Sequence, residues 1–336
     1  MYGYVIRRVV FLGLVLLATS VLVFTLSRQI PGDPARVAAG EDATASMVAQ
    51  VRERFGLDKP LPIQYFYYVG RVLQGDLGRS IISRRPVIDD LAERLPATLE
   101  LTFSSLLLST VFGIALGVLA ATHRGRWAGL LGRLVPASFV SAPAFWVGML
   151  LQFVFYGQLS LLPLGGRVDS ANALHRITGF LTIDALLARD WAALGDVLVH
   201  LILPAVVLAN VSLAIIARVT AASILEVLAQ PFIMTGRAKG LPERLILTRH
   251  VLRNAAIPTV TVLGLRLGDL MAGAVLVETI FAWPGVGRYA VDAIDTLDYS
   301  AIMGFVLFVA AAYAVVNLIV DLFYFWLDPR ISVADG

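Results

Sequence analysis

The feature that most constrains this chain is a set of long apolar runs without Asp, Glu, Lys or Arg. The first extends from Val9 to Ser27, directly after Arg7 and Arg8. A helix needs about 20 consecutive apolar residues to cross a bilayer, so this run is long enough to span one. The further charge-free runs are Leu101–Ala121, Leu134–Leu162, Val197–Ala217 and Tyr299–Val320. Together they predict helices that cross a membrane, and Leu134–Leu162 is long enough to hold a span plus a surface segment.

A secretory signal peptide is the alternative interpretation of the first run. The apolar part of a signal peptide has only about 7–15 residues, and a small-residue cleavage site follows it. Val9–Ser27 is longer, and no convincing site of that kind comes after it. We therefore interpret residues 1–27 as a retained transmembrane helix.

One more span, the fifth of six in chain order, is predicted at Ala255–Val277, although it contains Arg266 and Asp269. Each charge at a bilayer centre costs about 2.5–3.5 kcal/mol on insertion scales. Their i, i+3 spacing places both on one helix face, where they can pair with each other. The pair either locks helix packing or lines a pathway, and the sequence leaves both open.

Composition supports an all-α integral membrane protein with six transmembrane helices. The chain is 58% hydrophobic and only 15% charged, which excludes an ordinary soluble domain. Its net charge of +3 comes with basic residues grouped between apolar runs, which indicates membrane topology and no nucleic-acid partner. Zero cysteines exclude disulfides, Cys-ligated metal and a thiol nucleophile.

Residues 28–99 form a polar region with ten Lys or Arg and nine Asp or Glu. This near-balance argues against disorder and predicts a folded extramembrane insert. Turns are predicted at Pro31–Pro34, Asp58–Pro60 and Gly75–Gly78.

Short loops predict the orientation, because cytoplasmic loops carry excess Lys and Arg. The basic loops are 123–133 and 218–253, which fall on the same side as Arg7 and Arg8. The opposite loops are acidic, with Asp184, Asp190 and Asp196 in one and Asp292, Asp295 and Asp298 in the other. We therefore expect both termini in the cytoplasm and the 28–99 insert outside it.

Residues that could carry covalent chemistry are sparse. The chain has no phosphate-binding G-x-x-x-x-G-K-[ST] loop and no nucleophile motif of the G-x-S-x-G type. The spacing of His123, His175, His200 and His250 matches no metal motif. We predict no enzyme activity, cofactor or metal, and any ATP must act through another chain.

Several polar residues in or beside the spans are candidates for a pathway or gate. Asn210 and Asn317 are typical of hydrogen bonds between membrane helices. Glu278 and Trp283 precede a Pro-Gly turn at the end of the fifth span, where a tryptophan suits the membrane interface as an anchor. A boundary loop and an extracellular gate both fit this turn. Gly113/Gly117 and Gly264/Gly268 predict close helix packing.

The polar segment 231–258 predicts a helix, a tight corner and a second helix. Gly240 suits the end of the first helix, and Pro242 suits the first turn of the second. Arg249 and Arg253 lie four residues apart, so we expect an acidic group, from lipid phosphate or a protein partner, to offset their repulsion.

The core of this segment, Thr235-Gly-Arg-Ala-Lys-Gly-Leu241 with Arg253-Asn254 and Pro258, resembles the cytoplasmic loop of binding-protein-dependent ABC import permeases. The chain is most similar to the B-type subunits of the dipeptide/oligopeptide branch. Further matching stretches are Ile30–Pro34, Gly56–Pro60, Gly75–Gly78, Leu95–Glu100, Glu278–Phe281 with Pro284-Gly285, and Asp328–Arg330. Met234, Thr235 and Gly236 depart from the Glu-Ala-Ala of the classical loop. A glycine in place of alanine there softens the helix by roughly 1 kcal/mol.

The resemblance implies a type I ABC importer permease fold in which loop 231–258 docks on a separate ATPase. It assigns coupling to Thr235, Gly236, Arg237, Ala238, Lys239, Gly240 and Leu241, with Arg244 at the rim. The implied partners are a homologous permease subunit, two ABC ATPase subunits, an extracytoplasmic substrate-binding protein and membrane lipid. The implied location is the bacterial inner membrane.

On this basis residues 100–327 form the permease core and residues 328–336 a cytoplasmic tail. The cargo could be a dipeptide, an oligopeptide, glutathione or a nickel chelate. The alternatives are an ion-coupled secondary transporter that uses Arg266 and Asp269 as its relay, and a membrane-embedded enzyme, which the lack of a polar catalytic cluster disfavours.

Overall fold

The computed structural model describes residues 2–29, 35–36, 43–54, 56–123, 125–169 and 176–327. Within these ranges the chain is helical and has no strand, apart from an isolated antiparallel bridge between Arg79 and Pro86. The predicted turn at Pro31–Pro34, the matching stretch Asp328–Arg330, the tail 328–336, and His175 and Arg124 lie outside the described residues.

The helices are, in chain order, α1 (Tyr2–Gln29), α2 (Ala45–Arg54), α3 (Leu61–Leu73), α4 (Val87–Thr122), α5 (Trp127–Ser141), α6 (Ala144–Leu151), α7 (Leu181–Ala188), α8 (Trp191–Leu228), α9 (Pro231–Ala238), α10 (Glu243–Leu245), α11 (Leu252–Ile280), α12 (Val286–Asp295) and α13 (Tyr299–Leu327). Two π-helical segments, Gln152–Gln158 and Ile246–Val251, extend α6 and precede α11.

Five helical segments among the described residues are long and apolar enough to cross a membrane, and a bent pair makes up to six. The five are Ile6–Leu26, Val87–Thr122, Trp191–Leu228, Glu243–Ile280 and Tyr299–Ile319. Each contains or largely overlaps one of the predicted spans. The predicted all-α membrane architecture is therefore confirmed.

The run Leu134–Leu162, which is longer than one span needs, is bent and not one straight helix. Trp127–Ser141 and Ala144–Gln158 meet at an angle of 102°. The break lies at Ala142, whose φ of −113° and ψ of 140° are extended. The ring of the next residue, Pro143, disfavours the helical conformation at Ala142, so the helix ends there.

The chain divides into two compact units, residues 1–96 with 285–336 and residues 97–284. In the first unit, Val87 and Leu91 of α4 pack with Val286 and Tyr289 of α12 and Ala301 of α13. The predicted turns at Asp58–Pro60 and Gly75–Gly78 are present on either side of α3. Because α4 begins at Val87, the last part of the predicted 28–99 insert is helix and not a separate segment.

The second unit is built around α8, whose buried side chains include Leu201, Leu203 and Val207. A Cβ added at Gly117 would lie 2.7 Å from the carbonyl oxygen of Ala217, and one at Gly113 would lie 2.9 Å from Ile216. The two glycines thus let α4 approach α8 closely, which confirms the packing predicted for that pair. Gly132 brings α5 against α4 in the same way, with a Cβ position 2.6 Å from the nitrogen of Ala120.

Candidate functional site

The loop 231–258 has the predicted helix, corner and helix. Helix α9 begins at Pro231, where the missing N–H of proline costs no intrahelical bond. Gly240 follows the end of α9 with a φ of +77°, a left-handed conformation that glycine adopts without steric cost. The N–H groups of Gly240 and Leu241 donate to the carbonyl oxygens of Arg237 and Gly236 at 2.9 and 3.2 Å. This bond pattern is a Schellman motif, which stops α9 abruptly.

Most of the coupling residues predicted in loop 231–258 are exposed. Thr235, Arg237, Ala238, Lys239, Gly240 and Arg244 are exposed. Gly236 and Leu241 are half-buried, and Leu241 packs on a cluster that contains Ile233 and Ile246. The cluster anchors one face of the loop and leaves the other free for a partner.

Two exposed apolar side chains extend this free face beyond the predicted set. Phe232 is 47% exposed and Met234 is 67% exposed. Sequence reasoning missed both because it began the coupling set at Thr235. The signal was available, since a helix of this length that buries only Ile233 has apolar side chains left over.

An ion pair across the corner joins the two helices of the loop. Arg237 Nε and Nη2 donate to Glu243 Oε1 and Oε2 at 2.6 and 3.3 Å. The hydrogen bond to Glu243 raises the pKa of the Arg237 guanidinium, so the cation is firmly charged. Both side chains are largely exposed, so the pair sets the shape of the corner more than its stability. Arg249 and Arg253 are exposed as well.

The charged residues of the fifth span form the predicted pair. Arg266 Nη1 lies 2.7 Å from Asp269 Oδ2, and the side chain of Asp269 is 48% exposed. Asn210 is buried at 2% exposure, and neither of its amide atoms has a hydrogen-bond partner among the described residues. Among the residues that the structure describes, Asn210 therefore makes no side-chain hydrogen bond to another helix.

Glu278 and Trp283 are both completely buried inside the second unit. The Thr98 hydroxyl donates to Glu278 Oε1 at 2.5 Å, and the Trp283 indole N–H donates to the carbonyl oxygen of Ala97 at 2.8 Å. The expectation that Trp283 anchors the chain at the membrane interface is wrong, because its polar N–H is satisfied by backbone within the core. A role for either residue in a gate stays a prediction.

A buried ion pair beside Trp283 was not predicted. Arg167 Nη2 donates to Glu100 Oε2, and the guanidinium lies 5.5 Å from the centre of the Trp283 ring. The other oxygen of Glu100 accepts from the backbone N–H and the hydroxyl of Thr182, at 2.8 and 2.7 Å. Arg167 also donates to the carbonyl oxygen of Gly179 at 2.9 Å. Burial lowers the pKa of Arg167, and the charge of Glu100 partly offsets this effect.

Loop 176–180 is held to α7 by one buried carboxylate. Asp184 accepts hydrogen bonds from the backbone N–H groups of Ile177, Thr178 and Gly179 and from the Thr178 hydroxyl. Burial by itself would raise the pKa of Asp184, but these bonds together outweigh it and hold the pKa below its usual range. Asp184 is thus a structural anion, and it shapes the loop whose Gly179 carbonyl binds Arg167.

The fold also brings Asp169, Asp196 and His200 together, with ligand atoms within 4.8 Å of one another. His200 Nδ1 lies 2.9 Å from the carbonyl oxygen of Asp196, and Nε2 lies 3.7 Å from Asp169 Oδ1. The Asp169 backbone N–H donates to Asp196 Oδ2 at 2.9 Å. In the part of the chain that is described, this is the group of carboxylates and imidazole that could hold a cation. Sequence spacing missed it because Asp169 lies in a loop well before α8.

Comparison with known proteins places this geometry in a family. Residues 113–333 match the model of the binding-protein-dependent transport system inner membrane component, and residues 1–102 match the N-terminal model of the same membrane component. The chain is 48% identical to a probable D,D-dipeptide transport system permease protein of Escherichia coli (strain K12), with 96% of each chain covered. It is 42% identical to the dipeptide transport system permease protein of the same strain, with 98% of this chain and 99% of that protein covered.

A solved structure of an amino acid ABC transporter has a TM-score of 0.50 with this chain at 16% identity, covering 72% of this chain and 94% of the other. This likeness concerns the fold alone. The chain belongs to the family of binding-protein-dependent transport system inner membrane components, as a multi-pass permease subunit of an ABC importer that catalyses no reaction itself.

Proposed function

We propose that this chain forms half of the translocation pathway of an ATP-driven importer for dipeptides and short oligopeptides. The observation that carries the proposal is the exposed face of loop 231–258. Its short helix ends in a Schellman motif and presents Phe232, Met234, Arg237 and Lys239 together. Apolar side chains beside cations suit a groove that has an apolar floor and an acidic rim.

The partners of the proposed complex are a homologous permease subunit, two ATPase subunits and an extracytoplasmic substrate-binding protein. The coupling residues are Thr235 to Leu241, with Arg244 at the rim. ATP is hydrolysed on the ATPases, and the rigid corner at Gly240 passes their closure to α8 and α11. The cluster of Ile224, Ile233, Ile246 and Val251 supports this step, because it packs the loop on the ends of those helices.

The proposed topology follows the charge of the loops. Both termini, the tail 328–336 and loop 231–258 lie in the cytoplasm, and the polar residues that follow the first helix, 28–99, lie outside it. The permease core is 100–327. Excess Lys and Arg on the cytoplasmic side support this assignment.

Of the pathway candidates, we retain Arg266 and Asp269 as residues that line the route. Asp269 is half exposed, and its charge is balanced by Arg266 2.7 Å away, the one other charged residue in the sequence of Ala255–Val277. Asn210, Glu278 and Trp283 are buried in this chain, so any part they take in gating acts through packing and not through contact with cargo.

The cargo proposal rests on the two relatives described above, which are dipeptide permeases, and glutathione and nickel chelates are the alternatives. Its test is reconstitution in liposomes with the partner permease, the ATPases and the binding protein. We expect uptake of radiolabelled dipeptide to need both ATP and the binding protein. Uptake by this chain alone under an ion gradient would instead identify a secondary transporter, and binding of glutathione or nickel by the binding protein would replace the cargo.

The exposed arginines of the loop provide a second test. Arg249→Glu together with Arg253→Glu should raise ATP hydrolysis relative to uptake, because the reversed charges repel the acidic groups that we expect on the partner surface. The ratio of ATP hydrolysed to peptide imported measures the effect. Arg79→Glu with Arg84→Glu, two exposed arginines in the proposed extracytoplasmic region, is the matched control. Normal coupling in the loop variant would show that these arginines meet no acidic partner.

A further inference from the structure

Helix α3 packs on the membrane-spanning helices of its own unit through one face. The Tyr65 hydroxyl lies 2.7 Å from the Ser20 hydroxyl of α1, and the ring of Phe24 lies 5.4 Å from that of Tyr65 and 5.6 Å from that of Tyr68. Leu307 of α13 completes this cluster. One long face of α3 is thus covered by α1 and α13.

The opposite face of α3 is also apolar, although it is exposed. The large side chains on it are Phe66 at 73% exposure, Leu73 at 82%, Tyr67 at 44% and Ile63 at 42%. These positions follow the i, i+3, i+4 spacing of one helix face, and Gly70 is the remaining residue among them. A surface helix in water carries polar residues on its outer face. This face has no charged residue.

The depth of α3 indicates what lies against that face. Ser20 and Phe24 belong to the apolar span Ile6–Leu26, and Leu307 belongs to the span Tyr299–Ile319. Since α3 contacts these residues, it lies beside the ends of the spans and not above them. Val21 and Leu22 of α1 are exposed at 45% and 58%, as expected of side chains in contact with lipid. The exposed face of α3 lies at the same level as this lipid-facing surface.

The charges near α3 suit phospholipid headgroups. Lys59 lies two residues before the helix, its Nζ donates to the Tyr67 hydroxyl at 3.0 Å, and it sits 4.8 Å from the centre of the Tyr67 ring. Arg71 lies in the last turn, and residues 59–73 contain no Asp or Glu. Tyrosines and cations with apolar stems are the residues that anchor a helix at the membrane interface.

We propose that α3 is an interfacial helix whose Ile63, Phe66, Tyr67 and Leu73 face inserts between phospholipid headgroups, in the leaflet next to the C-terminal end of α1. In this position α3 packs against the side of α1. Its face of Ile63, Phe66, Tyr67 and Leu73 is therefore covered by lipid and is not a docking surface for a binding protein. The inference rests on membrane insertion of α1 and α13 and does not depend on the cargo or on the ATPase contact.

The lack of cysteine in the natural chain makes a direct test possible. Phe66→Cys and Leu73→Cys, each labelled with a nitroxide, are placed in nanodiscs of phosphatidylethanolamine and phosphatidylglycerol. Electron paramagnetic resonance then compares collisions with oxygen, which concentrates in lipid, and with a water-soluble nickel chelate. Phe11→Cys, 61% exposed on the α1 span, is the lipid reference, and Asp58→Cys, before α3, is the water reference.

We expect the ratio of oxygen to nickel collisions at positions 66 and 73 to exceed position 58 severalfold and not to exceed position 11, which lies inside the apolar span. A ratio like that of position 58 would overturn the proposal. The measurement is repeated in the assembled transporter, where shielding from both reagents would show that a protein subunit covers the face and would also overturn it. Ile63→Cys replaces either variant if its thermal unfolding differs from that of the unlabelled natural chain.

Discussion

Replacing Glu100 by Gln is expected to lower the free energy of unfolding by about 3–5 kcal/mol, because it leaves the buried cation of Arg167 without its counter-charge. Glu100 is 3% exposed and Arg167 is 6% exposed, so water cannot replace the lost carboxylate. The effect is measured as the shift in denaturant-induced unfolding of the purified chain in detergent. Transport should fall with the amount of folded protein.

The matched control is Glu93→Gln, which removes a carboxylate from the exposed pair of Arg85 and Glu93 at 2.8 Å. Exposed pairs contribute little, so this variant should unfold like the natural chain. The double variant Glu100→Gln with Arg167→Met should recover much of the loss, since it removes both buried charges. If Glu100→Gln were as stable as the natural chain, the pair of Glu100 and Arg167 would contribute little to the free energy of unfolding.

Replacing Met234 by Asp is expected to reduce ATP-driven peptide uptake by about tenfold or more, without changing the stability of the chain. Met234 is 67% exposed and contributes little to the core, so the stability of the fold does not depend on it. In the proposed complex it enters an apolar groove of the ATPase, and a carboxylate there would be desolvated without a partner. Uptake and copurification of the ATPase with the membrane subunits measure the effect.

Met47→Asp is the control for this variant, because Met47 is 52% exposed on α2, within the proposed extracytoplasmic region. It introduces the same charge at an exposed methionine and should leave uptake unchanged. If Met234→Asp retained both normal uptake and bound ATPase, the docking surface would lie elsewhere on the chain. Loss of uptake with the ATPase still bound would place the defect in transmission through the corner at Gly240.

Local chemistry explains why several features could be predicted. The apolar runs are long enough to need a bilayer whatever their neighbours are, so the membrane helices followed from length and charge alone. The corner of loop 231–258 followed from Gly240 and Pro242, whose backbone preferences do not depend on distant contacts. The bend at Ala142 also had a local signal in Pro143, which the charge-free run of 29 residues from Leu134 to Leu162 obscured.

Other features depend on residues that are far apart in the chain. Glu100 and Arg167 are 67 positions apart, and Trp283 meets the Ala97 carbonyl 186 positions away. Read alone, Trp283 beside a Pro-Gly turn has the appearance of an interface anchor. Its burial depends on how the end of α11 packs against α4.

The sequence by itself thus determined that this protein is a helical membrane permease with a sharp polar corner, because hydrophobic length and backbone stereochemistry act over a few turns of chain. Only the tertiary structure decided which polar groups are buried together and which faces remain free. The pairing of Glu100 with Arg167 and the uncovered faces of α3 and α9 are of this kind. These features depend on which helices contact each other, and those contacts are determined by side-chain packing across the whole chain.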